Sequence, residues 1–154
     1  DDLSEGRFYI GDERIRAEYF TPSKILIILD EDKAMYYNYD LEENEFFNPK
    51  KTDAWFLYDI FSNSNFLDNA KLKKGNNQLI LEKTGFDKNE EEFLIRLFLE
   101  DSPVILRKVQ ILINNNEVLE LSMFNHKYEE VFHKDFFKLS MYIQVTRNPF
   151  FKTN

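Results

Sequence analysis

The sequence predicts a mainly β protein with a few short helices, on three observations. Apolar and polar residues alternate at period two in one short segment after another. Turn-forming residues separate these segments at hairpin spacing, which predicts one continuous antiparallel sheet. Only one clear stretch, residues 52–62, carries apolar residues at helical spacing.

The elements follow in chain order. Residues 7–11 form a short β-prone segment, and Gly11-Asp12-Glu13 supplies a hairpin turn. Residues 14–20 alternate, with Ile15, Ala17 and Tyr19 on one face and Arg16 and Glu18 on the other. Pro22 ends that strand or sits at its edge. Residues 24–29 are apolar on both faces, which predicts a strand covered on both sides. Asp30 to Lys33 turn the chain into a return strand, 34–41, with Met35, Tyr37 and Tyr39 on one parity. Phe46-Phe47-Asn48-Pro49 closes another short strand. The helix over 52–62 takes Thr52 as N-cap and Asp53 in its first turn, with Trp55, Phe56, Leu57 and Ile60 as its apolar stripe. Ser62 to Asn65 break it, and residues 66–72 read as a second short helix. A β meander follows over 78–84, 92–100, 105–113 and 117–124, turning at Ser102-Pro103 and Asn114-Asn115-Asn116. The predicted inward faces are Phe93, Ile95, Leu97 and Leu99, then Val109, Ile111 and Ile113, then Leu119, Leu121 and Met123. Residues 131–139 read as a turn that plugs rings onto the sheet, 139–145 as a last strand, and Asn148-Pro149-Phe150-Phe151 as a lightly anchored end.

Composition narrows the class. The 154 residues suffice for one domain with a real core, and 43% hydrophobic with 31% charged residues is a globular balance. Sixteen Phe and eight Tyr are enough rings to fill a small β core or to line an apolar cavity. The net charge of −8 argues against a nucleic-acid footprint and against a polybasic membrane anchor. No apolar run approaches the ~20 residues that span a bilayer. With no cysteine, there are neither disulfides nor thiolate metal sites.

Catalytic chemistry is hard to assemble from this chain. His126 and His133 lie seven apart without a metal-ligand partner spacing, and read as surface or loop residues rather than a metal site. Glu42-Glu43 and Glu90-Glu91-Glu92 read as solvated turns. There is no nucleophile elbow, phosphate loop or dinucleotide fingerprint, and four glycines leave little backbone to cradle a phosphate. An esterase or glycosidase would need a pocket with a perturbed His or carboxylate, which no spacing suggests. A non-enzymatic protein without a cofactor is therefore expected. By periodicity alone the rings are an ordinary packed core.

Residues 6–52 carry a more specific pattern. It runs Gly6-x-Phe8-Tyr9-Ile10, Ile15-Arg16-Ala17-Glu18-Tyr19, Pro22, the run Ile25 to Leu29, Asp30, and the aromatic hairpin through Tyr37 and Asp40 to Thr52. This pattern resembles the LolA family of periplasmic lipoprotein carriers. The resemblance covers 6–52 well and the rest of the chain in element order. It implies an incomplete antiparallel β-barrel or curved sheet, covered by short helices that act as a lid over an acyl-chain cavity. It implies a single domain over 1–154, without the amphipathic helix and first strand that usually precede the Gly-x-Phe-Tyr strand in the family. The implied cavity lining is Phe8, Ile10, Ile15, Ala17, Tyr19, Ile27, Leu29, Met35, Tyr37, Trp55, Phe56, Ile60, Ile95 and Leu97. Three departures stand out: Ala17 replaces a usual aromatic, Asp53 replaces the Pro of a Thr-Pro, and Gly11-Asp12-Glu13 occupies the place of an Arg-Pro linked to hand-over. The implied partners are acylated lipoproteins, the inner-membrane Lol ABC transporter, and a LolB receptor or the outer membrane itself. The implied compartment is the periplasm. LolB is the close alternative, although it carries an N-terminal Cys. An envelope sensor or binding domain of the same fold, using a sheet edge, is the second class.

Overall fold

The structure, a computed structural model, describes residues 3–140 and Gln144. It is mainly β, with two open antiparallel sheets and one α-helix among the described residues. The chain divides into two compact units, residues 1–66 with 130–154, and residues 67–129. Two five-stranded meanders thus replace the one continuous sheet expected, and neither closes into a barrel.

The first unit holds β1 (Glu5–Gly11), β2 (Arg14–Thr21), β3 (Ile25–Leu29), β4 (Ala34–Asn38) and β5 (Glu43–Phe47), paired in sequence order. Asp12 (φ 50°) and Glu13 (φ 57°) form the two-residue turn between β1 and β2. Both are left-handed, as a twist-matched hairpin requires. The Tyr58 hydroxyl donates to the Glu13 carbonyl at 3.0 Å and ties this turn down. At the other end of β1, a Cβ on Gly6 would land on the Glu18 carbonyl oxygen. Gly6→Ala is therefore expected to destabilise the protein by about 1–3 kcal/mol through overpacking, read from the urea midpoint. An unchanged midpoint would mean that the β1 edge is not tightly paired there.

Strand β3 is covered on both faces, as its unbroken apolar run predicts. On one face Ile15, Leu29 and Ala34 form a buried cluster under α1 (Ala54–Ser62). The helix meets it with Ala54, Tyr58 and Phe61, three positions at i, i+4 and i+7. That corrects the predicted stripe: Phe56 is fully buried, but the side facing this cluster is one residue out of phase with it. The helix start also shifts. A short 3-10 turn, Pro49–Lys51, precedes it, and the Thr52 hydroxyl accepts from the Ala54 N–H at 3.2 Å. Asp53 is the N-cap by position and makes no side-chain cap.

On the opposite face lie Leu26, Ile28, Met35 and Tyr37, with Tyr39 and Leu139 packed against them. Rings of the returning segment cover the β1 end: Phe132 and Phe136 meet Tyr9 edge-on at 5.8 and 4.9 Å. The predicted ring plug is borne out over 132–137. Of the expected last strand, residues 141–143 and 145 lie outside the described residues, as does the 148–151 end; Gln144 is helical.

The second unit holds β6 (Lys71–Gly75), β7 (Gln78–Phe86), β8 (Glu92–Glu100), β9 (Ile105–Ile113) and β10 (Asn116–Ser122). The expected helix over 66–72 is instead a turn followed by edge strand β6. Asn69, with φ 66°, breaks the segment, and Lys71 to Gly75 pair with β7 across a two-residue turn. Phe93, Ile95, Leu97, Val109, Ile111 and Ile113 are buried on one face, as the alternation predicts. The other face is a charge ladder. Glu82 takes Lys73 and Arg96 (3.2 Å), and Arg96 and Glu117 both reach Gln110, at 3.4 and 2.9 Å. The Lys73 hydrogen bond, with that of Arg96, holds the Glu82 carboxyl below its usual value.

Candidate functional site

The strand register sorts the expected cavity residues. Phe8 faces Ala17, Ile10 faces Ile15, Ala17 faces Ile27, and Ile15 faces Leu29 across adjacent strands. With Tyr19 these seven share the α1 face. Ile15 and Leu29 are buried, Phe8, Ala17, Tyr19 and Ile27 half-buried, and Ile10 exposed. Trp55, Phe56 and Ile60 lie on α1 itself; Trp55 stacks on Phe56 at 4.3 Å and meets Phe66 edge-on. Phe61 reaches Phe8 at 5.3 Å, so the helix and the first strand share a ring contact.

Four residues do not join that set. Met35 pairs with Ile28 and Tyr37 with Leu26, which puts both on the opposite face of the sheet. Their parity is fixed by the β3–β4 register, where Ala34 and Tyr36 take the α1 side. Ile95 and Leu97 belong to the second unit, buried in its own sheet.

The face opposite α1 carries the most polar buried group in the molecule's described part. Arg16 and Glu18 are each about 1% exposed. Arg16 Nε donates to Glu18 Oε2 at 3.0 Å, and Nη2 lies 2.9 Å from the same oxygen. Nη1 donates to the Phe136 carbonyl and to Gln144 Oε1, both at 2.7 Å. The guanidinium lies over the Phe136 ring at 4.1 Å. Gln144 in turn donates to the carbonyls of Asp135 and Lys138 at 2.7 and 3.1 Å. Arg14 repeats the motif nearer the edge, reaching the Phe137 carbonyl at 2.9 Å and Asp30 at 3.1 Å. Two alternate arginines of one strand thus clamp the returning segment by its carbonyls.

This cluster is under electrostatic tension. Burial pushes the Glu18 carboxyl above its ordinary value, against the attraction of Arg16. Burial likewise lowers Arg16, against the attraction of Glu18. The Tyr9 hydroxyl beside Glu18 favours the charged carboxylate as Arg16 does, but more weakly. The sequence offered one sign of this site: charged residues sat opposite an apolar strand, where a solvent-facing row would not be expected. Its partners are more than a hundred residues away in the chain, beyond the reach of local spacing.

Among the described residues no group of three His, Asp or Glu side chains is disposed to hold a metal ion, and no helix is long and apolar enough to cross a membrane. No protein-family profile matches the chain, and no curated protein matches its sequence.

Proposed function

We propose that this protein is a non-enzymatic carrier that shields acyl chains of lipoproteins on the α1 face of its first sheet. The observation that carries this reading is the helix itself. It rests on an apolar sheet face through a small buried cluster, and half-buried rings lie at that contact, Phe8 and Phe47 from the sheet and Tyr58 and Phe61 from the helix. Such a contact can exchange rings for a chain. Each buried CH2 contributes about 0.8 kcal/mol, so helix and ligand compete for one surface, and that competition permits release. In this reading the curved sheet is an incomplete barrel and α1 its lid. The LolA-like pattern over 6–52 supplies the cargo and route: triacylated lipoprotein taken from the inner-membrane Lol ABC transporter, carried through the periplasm, and released to a LolB receptor or directly to the outer membrane.

Native mass spectrometry of the protein purified from cells, followed by lipid extraction, tests this. The expected result is a bound acylated species, with a shift of Trp55 fluorescence on adding lipoprotein because the lid must move. A ligand-free protein whose spectrum ignores saturating lipoprotein would overturn the reading. It would favour an envelope sensor or binding domain. One observation suits that alternative: edge strand β6 is exposed throughout, Leu72 included, and offers an unpaired ladder to a partner strand.

A further inference from the structure

The second unit contains a groove of about 750 Å³ that none of the expected cavity residues lines. It lies on the polar face of the second sheet, beneath the segment that leaves β10. Along most of that face runs the ladder of Glu82, Arg96 and Gln110. One row further on, the pattern changes to Phe98, Lys108 and Ser122, which sit opposite one another in register. Phe98 forms part of the floor, and Lys108 Nζ lies over its ring at 4.4 Å. Phe124 and Tyr128, 73% and 72% exposed, flank it, with His126 stacked beside Tyr128.

A β-bulge builds the cationic end. Phe98 pairs with Lys108 but Leu99 pairs with Leu106, so Arg107 is the extra residue. In a regular strand neighbouring residues point to opposite faces. The bulge breaks that rule and lets Arg107 and Lys108 line the same groove. Glu100 then holds Arg107 through Nε and Nη2, at 2.9 and 3.3 Å, a fork that leaves Nη1 for another acceptor. Lys108 Nζ makes a looser ion pair with Glu120 Oε1 at 3.6 Å, one that an incoming anion would have to share.

We propose that this groove binds a small organic anion: one carboxylate or phosphate, received by Arg107 and Lys108, on an apolar body that lies against Phe98 and Tyr128. Two successive cations that a bulge brings to one groove, beside exposed rings, fit that chemistry. The site is independent of the acyl-carrier reading and sits in the other unit.

Titration calorimetry with phenyl phosphate, dodecyl phosphate, inorganic phosphate and the neutral detergent dodecyl maltoside tests it, with amide NMR shifts to locate the contact. Shifts at residues 98, 107, 108 and 124–128 are expected with at least one of the two organic phosphates; which of them separates a ring from a chain as the preferred body. Inorganic phosphate and dodecyl maltoside should each bind about tenfold or more weaker. Lys108→Gln and Tyr128→Ala, both changes at solvent-accessible side chains, should each weaken the organic phosphate about tenfold. Tyr19→Glu, in the first unit, should leave it unchanged. Equal binding of the neutral detergent, or organic phosphate affinity untouched by both groove variants, would overturn the proposal. Loss of lipoprotein uptake without loss of phosphate binding would bear on the carrier reading alone.

Discussion

Replacing Arg16 with methionine is expected to destabilise the first unit by about 3–5 kcal/mol, because Glu18 would stay buried without its counter-ion. The change also removes the donor that joins the Phe136 carbonyl to Gln144. Two readouts should therefore move together: the urea midpoint falls, and limited proteolysis opens residues 130–140. The pH dependence gives a further signature. Glu18 already titrates above its ordinary 4.5 because of burial, with Arg16 pulling it down. Without Arg16 the raised value climbs further. Between 4.5 and that value the native state holds a proton that the unfolded chain has released. The resulting stability is complete below pH 4.5 and is lost as pH rises through the folded value. The variant should thus lose stability towards pH 7 more steeply than the parent protein. Adding Glu18→Leu should restore most of the loss, since a buried pair replaced by packed apolar groups is often neutral. A single variant within about 1 kcal/mol of the parent at pH 7 would mean that the rings, not the arginine, hold the segment.

How much of this was legible beforehand depends on the range of the interaction. The strands could be read because a period of two is local. Residues 93–97 and 109–113 keep one parity apolar throughout, and β8 and β9 carry those residues buried on one face. The turn at Asn114-Asn115 could be read because asparagine tolerates positive φ, here 50° and 65°. The helix stripe was misread because residues 54–61 are apolar almost throughout, so phase had to come from the sheet beneath. The segment 66–72 is too short and too polar for its spacing to tell helix from strand, and Leu72 sits exposed on an edge strand. Met35 and Tyr37 stand with Ile15 only in the lining that the LolA resemblance implies. Only the pairing of β3 with β4 tells the two faces apart. Arg107 shows a different limit. A bulge adds one residue to one strand, and alternation read from either strand alone cannot reveal it.

The same face assignment decides which substitution tests lipid carriage. Ile15→Glu is expected to unfold the first unit rather than empty a cavity. Ile15 is 1% exposed in a cluster with Leu29 and Ala34, and a carboxylate there would be buried without a partner. Several kcal/mol of that kind consumes much of a small domain's stability, about 5–15 kcal/mol. Tyr19 differs. It shares the α1 face but is only half-buried, at the end of β2 that meets Ile25. A glutamate there sits outside the fully buried cluster of Ile15, Leu29 and Ala34. Tyr19→Glu should keep an unfolding free energy, read by urea titration, within about 1 kcal/mol of the parent. It should still place a charge where an acyl chain would lie. Extraction of lipoprotein from membrane vesicles should then fall at least about tenfold, the equivalent of losing two buried CH2 groups. If folded Tyr19→Glu extracts lipoprotein at the parent rate, acyl chains do not rest on this face, and α1 is an ordinary packed helix rather than a lid.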